Sequence, residues 1–186
     1  MSLLKNIQLL RINIIKYFFL FLFIFSCDTR DFEVYKSYLY PPDHLVLSMK
    51  VKALVKTKFE FYHNAEGHKN FTNNRCIFSE VKKETKYQNV VFKIKDDNIQ
   101  SVKIDLGINE LLNNVNIYSI EVYLNNKVFT IRDIEEFFDP NIFIKKQKTN
   151  QYELRVLKDK IYDVYDPYFT SNKKFIKLLK YLRVND

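Results

Sequence analysis

The residue types that carry most chemistry are sparse in this chain of 186 residues, and they gather in two stretches. The first, HNAEGHKNFTNNRC, places His63, Glu66, His68 and Cys76 in one polar loop. Imidazole, carboxylate and thiolate are all zinc ligands, but the spacing fits no standard tetrahedral site, and solvated loop histidines account for the pattern equally well. The second, DKIYDVYDPY, interleaves Asp159, Asp163 and Asp166 with Tyr162, Tyr165 and Tyr168. Rings that stack on the apolar faces of pyranoses, beside carboxylates that accept from hydroxyls, are what sugar recognition uses; the same pattern describes a strand with a polar edge and an aromatic core face. No carboxylate pair at a known separation supports glycoside hydrolysis. The only glycines, Gly67 and Gly107, are too far apart for a dinucleotide fingerprint, a phosphate loop or a nucleophile elbow. Neither H-E-x-x-H nor a paired C-x-x-C occurs. The expectation is a chain with no catalytic residue, no metal and no cofactor.

The elements that must position these groups have a period of two. From Leu45 the odd positions Leu45, Leu47, Met49, Val51, Ala53, Val55, Phe59 and Phe61 are apolar, and the even ones carry Ser48, Lys50, Lys52, Lys56, Lys58 and Glu60. Such alternation marks strands with one buried face. The run is long for one strand and is expected to bend or split near residues 56–58. Further strand candidates are CIFSEV, YQNVVFKI, SVKIDL, IYSIEVYL, KVFTI, NIFIKK and YELRVL, separated by short polar turns. Many short strands at close spacing predict an all-β, mainly antiparallel fold: a single β-sandwich over residues 43–186. In TIRDIEEFFDP, Thr130 is placed to cap a short crossover helix with Ile131, Ile134, Phe137 and Phe138 on one face, stopped by Pro140. The C-terminal run has Phe175, Leu178, Leu179 and Leu182 at helical spacing, with Lys173, Lys174, Lys177, Lys180 and Arg183 around them. That amphipathic helix suits anionic lipid as well as docking on its own domain, and docking is the expectation.

The N-terminus answers a different question. Residues 17–25 are nine consecutive apolar residues, and a bilayer span needs about 17 or more. Lys5, Arg11 and Lys16 precede them with no acid before Asp28, which gives a charged region, a short apolar region and a small-residue exit, the build of a signal peptide. The exit, Ile24-Phe25-Ser26-Cys27, resembles the lipobox of bacterial lipoproteins. Together with an abundance of Lys, Asn, Ile, Phe and Tyr and the absence of Trp, it resembles the loose lipoboxes of spirochaete lipoproteins of the Borrelia type. That resemblance implies removal of residues 1–26, acylation of Cys27, a tether over 27–42 and an extracytoplasmic location on the cell membrane or outer membrane. Two or more acyl chains anchor stably, where one does so only marginally. The mature chain would keep 27 Lys and Arg against 22 Asp and Glu, about +5, too slight an excess to argue for nucleic acid. A thioether at Cys27 leaves Cys76 with no intramolecular partner, and a lone cysteine in an apolar run is expected as a small buried hydrophobe.

Residues 58–81, 89–107 and 115–129 also resemble the small β-sandwich modules attached to bacterial polysaccharide glycosyltransferases. Phe61 and Tyr62 match an aromatic strand ending, Phe71 a loop phenylalanine, residues 90–94 an apolar strand, and Ile117, Ile120 and Val122 an I-x-x-I-x-V rhythm. Lys103, Ile104, Asp105 and Gly107 stand where R-I-D-x-G would, with Lys for Arg, and Asp166-Pro167 match a closing D-P. Lysine lacks the fork with which arginine grips a carboxylate, so no clamp between an arginine and an aspartate is expected at this place. The likeness implies shared architecture; function has to be argued from a site. Two partner classes fit a tethered, non-enzymatic sandwich: an envelope or host protein, as the first expectation, and as the alternative a glycan or glycolipid held by Tyr62, His63, Glu66 and Tyr123.

Overall fold

The alternation that starts at Leu45 is bent at a corner instead of running straight. A computed structural model of the protein describes residues 34–36, 40–65, 71–72, 75–158 and 163–184; the apolar run 17–25, Cys27, Glu66 and His68 lie outside them. The first strands are β1 (Val34–Lys36), β2 (His44–Ala53) and β3 (Thr57–Ala65). β2 and β3 belong to different sheets. Both keep their odd positions inward, because a chain that turns from one sheet of a sandwich to the other still faces the same core. Leu45, Leu47, Met49, Val51 and Ala53, then Thr57, Phe59 and Phe61, are all buried. The corner falls at 54–56, slightly before the expected place, and leaves Leu54 exposed.

β4 (Cys76–Val81), β5 (Gln88–Lys95), β6 (Ile99–Asp105), β7 (Asn114–Leu124) and β8 (Lys127–Ile131) come next, each on a run expected to be a strand. Then come α1 (Ile134–Phe137), β9 (Phe138–Pro140), β10 (Ile144–Lys148) and β11 (Gln151–Leu154). β12 (Leu157–Lys158), β13 (Asp163–Val164), β14 (Tyr168–Ser171) and α2 (Lys173–Arg183) complete the order. The fold is all-β and antiparallel throughout its pairings, with two sheets packed face to face. In the seven-stranded sheet β2 lies along one edge of β7 and carries β5 outside it. The other edge of β7 is shared between β8, backed by β1, and β11, backed by β10. The five-stranded sheet has the order β4-β3-β6-β14-β9, and β12-β13 form a separate hairpin. β1 reaches back into the stretch read as a tether and pairs with β8. Between the sheets Phe61 stacks on Phe92 with centroids 5.3 Å apart, and Tyr152 meets Phe169 edge-on at 5.1 Å.

The ladder between β2 and β7 carries one irregularity. Lys50 of β2 pairs with Ser119 and Val51 pairs with Ile117, so Tyr118 is an extra residue, a β-bulge. The bulge switches the inward set from Val115 and Ile117 to Ile120, Val122 and Leu124, all buried. The I-x-x-I-x-V rhythm is therefore the signature of a bulge that keeps both halves of β7 facing the core.

The helices differ from expectation in one case and agree in the other. α1 is a single turn: Thr130 and Ile131 stay in β8, the N-cap position belongs to Asp133, whose side chain makes no capping bond, and Phe138 leaves in extended conformation as β9. Pairing of Phe138 with Ser171 supplies ladder bonds that a marginal one-turn helix cannot match. α2 docks on the sandwich as expected, with Phe175, Leu178, Leu179 and Leu182 all buried. Asn172 caps it, accepting from the backbone N–H of Lys174 and Phe175 at 2.9 and 3.4 Å. Its last turn is clamped by Arg183, whose Nε and Nη2 each donate to Asp96 at 2.7 Å in the β5–β6 turn. α2 thus closes the end of the sandwich that holds the β5–β6 and β7–β8 turns. No helix among the described residues is long and apolar enough to cross a membrane.

Candidate functional site

The outward positions of the two sheets form two different surfaces. On the seven-stranded sheet the register sets Ser48 opposite Glu121 and Lys50 opposite both Asn89 and Ser119. These polar groups floor a recess of about 330 Å³ that Tyr87 borders at the end of the β4–β5 connection. The bulge throws Tyr118 onto the same face, where its ring lies 5.6 Å from that of Tyr87 at 56° and both remain largely exposed. Lys50 Nζ sits 5.0 Å from the Tyr118 centroid and 6.0 Å from that of Tyr87, which orders the two rings by cation–π attraction. Glu121 accepts a 2.6 Å bond from the Tyr123 hydroxyl, and Tyr40 meets the Tyr123 ring edge-on at 4.9 Å. Burial, then the Glu121 carboxylate, push the Tyr123 phenol above its ordinary range, so it stays a neutral donor. The arrangement is two accessible rings beside hydroxyl, amide, ammonium and carboxylate groups, which suits a polyhydroxylated ligand.

The five-stranded sheet carries a self-satisfied cluster. Lys58 Nζ pairs with Glu60 Oε1 at 2.7 Å, and the Tyr62 hydroxyl donates to Glu60 Oε2 at 2.7 Å. Lys58 and Tyr62 together hold the Glu60 carboxyl below its ordinary range. Lys103 Nζ lies 4.4 Å from the Tyr62 ring centroid and 4.8 Å from that of Tyr168, and pairs with Asp105 at 3.2 Å. Asp105 also accepts from Gly107 N–H at 2.9 Å; burial, the larger influence, still raises its carboxyl. Lys103 and Asp105 make a single ammonium–carboxylate contact. The role is local: Asp105 fixes the turn at Gly107, and Lys103 covers two rings.

Tyr62 and Tyr123 therefore lie on opposite outer faces of the sandwich and cannot share one ligand. His63 is half-buried on β3 opposite Val102, and its imidazole is held below its ordinary basicity by burial and by Arg75. Glu66 and His68 lie outside the described residues, as do Asp159 and Tyr162. No group of three or more His, Cys, Asp or Glu side chains able to hold a metal occurs among the described residues. Tyr165 points inward, buried, and donates to the Leu112 carbonyl at 2.9 Å, whereas Tyr168 faces outward, so the tyrosines of the second stretch do not form one platform. Cys76 corrects another expectation. It is half-buried on the edge strand β4, beside Glu60, because its inward neighbours alternate around it, and burial raises its thiol above the ordinary range. The recess residues Lys50, Tyr87 and Glu121, and Tyr118 beside them, were not singled out as site residues from sequence. The break in alternation at Tyr118 within IYSIEVYL was the signal that marks them.

Comparison with protein-family models, with curated proteins and with solved structures gives no match.

Proposed function

We propose that this protein is an envelope lipoprotein, tethered through acylated Cys27, whose β-sandwich is a non-enzymatic module that binds a glycan or the sugar headgroup of a glycolipid. The observation that carries the ligand class is the recess on the seven-stranded sheet, lined by Tyr87 with Ser48, Asn89, Ser119 and Glu121, together with the exposed Tyr118 ring 5.6 Å from that of Tyr87. Of the two partner classes that the sequence leaves open, the glycan gains from this surface. Sugars bring an apolar face for each ring and hydroxyls for a floor that both donates and accepts. Charged and polar side chains in the floor also disfavour the apolar core of a protein interface.

The anchor and the ligand are tested separately. Cells fed a labelled fatty acid should label the wild-type product and not Cys27→Ala; label retained by the variant refutes the anchor. Purified lipoprotein should bind peptidoglycan fragments or glycolipid extracts. Tyr118→Ala and Tyr87→Ala should each weaken that binding, and Tyr62→Ala, on the far face, should leave it unchanged. Equal loss from Tyr62→Ala and Tyr118→Ala, or no binding to any carbohydrate tested, refutes the glycan reading and leaves a protein partner.

A further inference from the structure

The two ends of the sandwich are treated differently. One is closed by α2; at the other the chain leaves β11 at Leu154, Tyr165 is bonded to the Leu112 carbonyl and β14 begins at Tyr168 beside Asp105. Among the described residues the exposed leucines and isoleucines are Leu54, Ile108, Leu111 and Ile142, at 55, 86, 73 and 74% of full exposure, and all four lie at this second end. Leu54 is at the β2–β3 corner, Ile108 and Leu111 are in the β6–β7 connection, and Ile142 is in the β9–β10 connection. These connections are held in place. The Asn109 side chain donates to the Lys56 carbonyl at 2.8 Å, and that of Asn141 to the Asp166 carbonyl at 2.5 Å. Residues 154 and 155 bridge the two longer connections through Leu154 N–H to Asn113 O and Arg155 N–H to Phe143 O, both 2.9 Å. The β4–β5 connection beside Leu54 presents Lys82, Lys83 and Lys86, all exposed, against the single acid Glu84, whose N–H is bonded to the Ala53 carbonyl at 3.0 Å. The nearby Lys56 is already paired with Glu80 at 3.3 Å.

We propose that this end is a lipid-contacting face: the four aliphatic loop tips dip into the interface of an anionic bilayer while the lysine loop lies against its headgroups. Aliphatic tips with three lysines against the two acids Glu84 and Glu110 beside them match a layer that is apolar below and anionic above. A protein partner would instead call for a continuous patch.

The absence of tryptophan from the chain supplies the probe. Lipoprotein made from the full-length gene as I108W, and as V91W on the outer face of the seven-stranded sheet, is reconstituted into vesicles with and without phosphatidylglycerol. The I108W emission should shift to the blue and be quenched by brominated lipid, more strongly with phosphatidylglycerol, while V91W stays unquenched. Because position 108 is almost fully exposed, the substitution has no packing to disturb. Chain made as C27A and added to phosphatidylglycerol vesicles should still partition onto them, and L111S or I142S in that background should reduce partitioning up to about tenfold each. Anchored protein whose I108W reporter is unquenched overturns the lipid-contacting face and leaves the anchor standing. Unacylated protein whose reporter is quenched removes the anchor and leaves the face. A blue shift that grows with protein concentration in the absence of vesicles overturns the proposal in favour of a second copy.

Discussion

Gly107 offers the sharpest test of how the turn after β6 is built. Its φ of +86° lies in the left-handed region, and a Cβ placed there would sit 2.5 Å from the Lys58 carbonyl oxygen and 2.8 Å from Thr57 Oγ1. Gly107→Ala therefore carries two costs. The left-handed backbone costs an L-residue about 1–2 kcal/mol. The overlap with the Lys58 oxygen adds a comparable amount, because that oxygen belongs to the backbone of β3 and cannot rotate away. The total of about 2–4 kcal/mol falls in the upper part of the range for single substitutions. For a unit of this size that corresponds to a fall in Tm of about 4–16 °C. Thermal unfolding followed by circular dichroism reads the shift, and urea unfolding reads the free energy. A second variant separates the two contacts. Thr57→Ala removes the side-chain overlap and the 3.3 Å bond to the Leu106 carbonyl, but leaves the Lys58 oxygen in place, so Thr57→Ala/Gly107→Ala should recover only part of the loss. A Gly107→Ala protein within about 0.5 kcal/mol of wild type, the scatter of ordinary surface changes, would refute the reasoning. Complete rescue by Thr57→Ala would refute the part assigned to the backbone.

Two further outcomes concern the clamp on α2 and the carboxyls of the five-stranded sheet. Arg183→Ala leaves Asp96, with a side chain 9% exposed, without its fork and should cost about 2–3 kcal/mol, somewhat below a fully buried pair because Arg183 is 22% exposed. Arg183→Lys should recover less than half in urea unfolding, and full recovery would mean that charge alone holds α2 down. The pH dependence of stability should carry opposite signs at Glu60 and Asp105. The Glu60 carboxyl is lowered, so its contribution is present above its ordinary value of 4.5 and lost as pH falls through the folded value. The Asp105 carboxyl is raised, so its contribution is present below its ordinary value of 3.8 and lost as pH rises through the folded value. Relative to wild type, E60Q should lose least in acid, and D105N should lose least near neutrality. Urea midpoints across the acid range that move the same way for both variants would contradict the assignment.

Much of the scaffold was legible as period. Leu45 to Phe61 announced inward-facing strands, and Phe175, Leu178, Leu179 and Leu182 announced a docked helix, because pleat and helical pitch convert residue spacing directly into direction. The sandwich arises from those directions, since one-faced strands have to bury against another layer. Pairing is a different matter. That β2 lies between β5 and β7, that β11 shares an edge of β7 with β8, and that Phe138 joins β14 instead of extending α1 depend on contacts between residues far apart in the chain, which local spacing does not encode. The candidate site depends on them too. Sequence placed Tyr62 and Tyr123 together by their chemistry; the alternation within two different sheets sent them to opposite faces, and the bulge at Tyr118 assembled the recess from β2, β5 and β7. The chain order fixed which residues point inward. Only the packing of distant strands decided which outward residues became neighbours, because that neighbourhood is set by register across sheets and not by distance along the backbone.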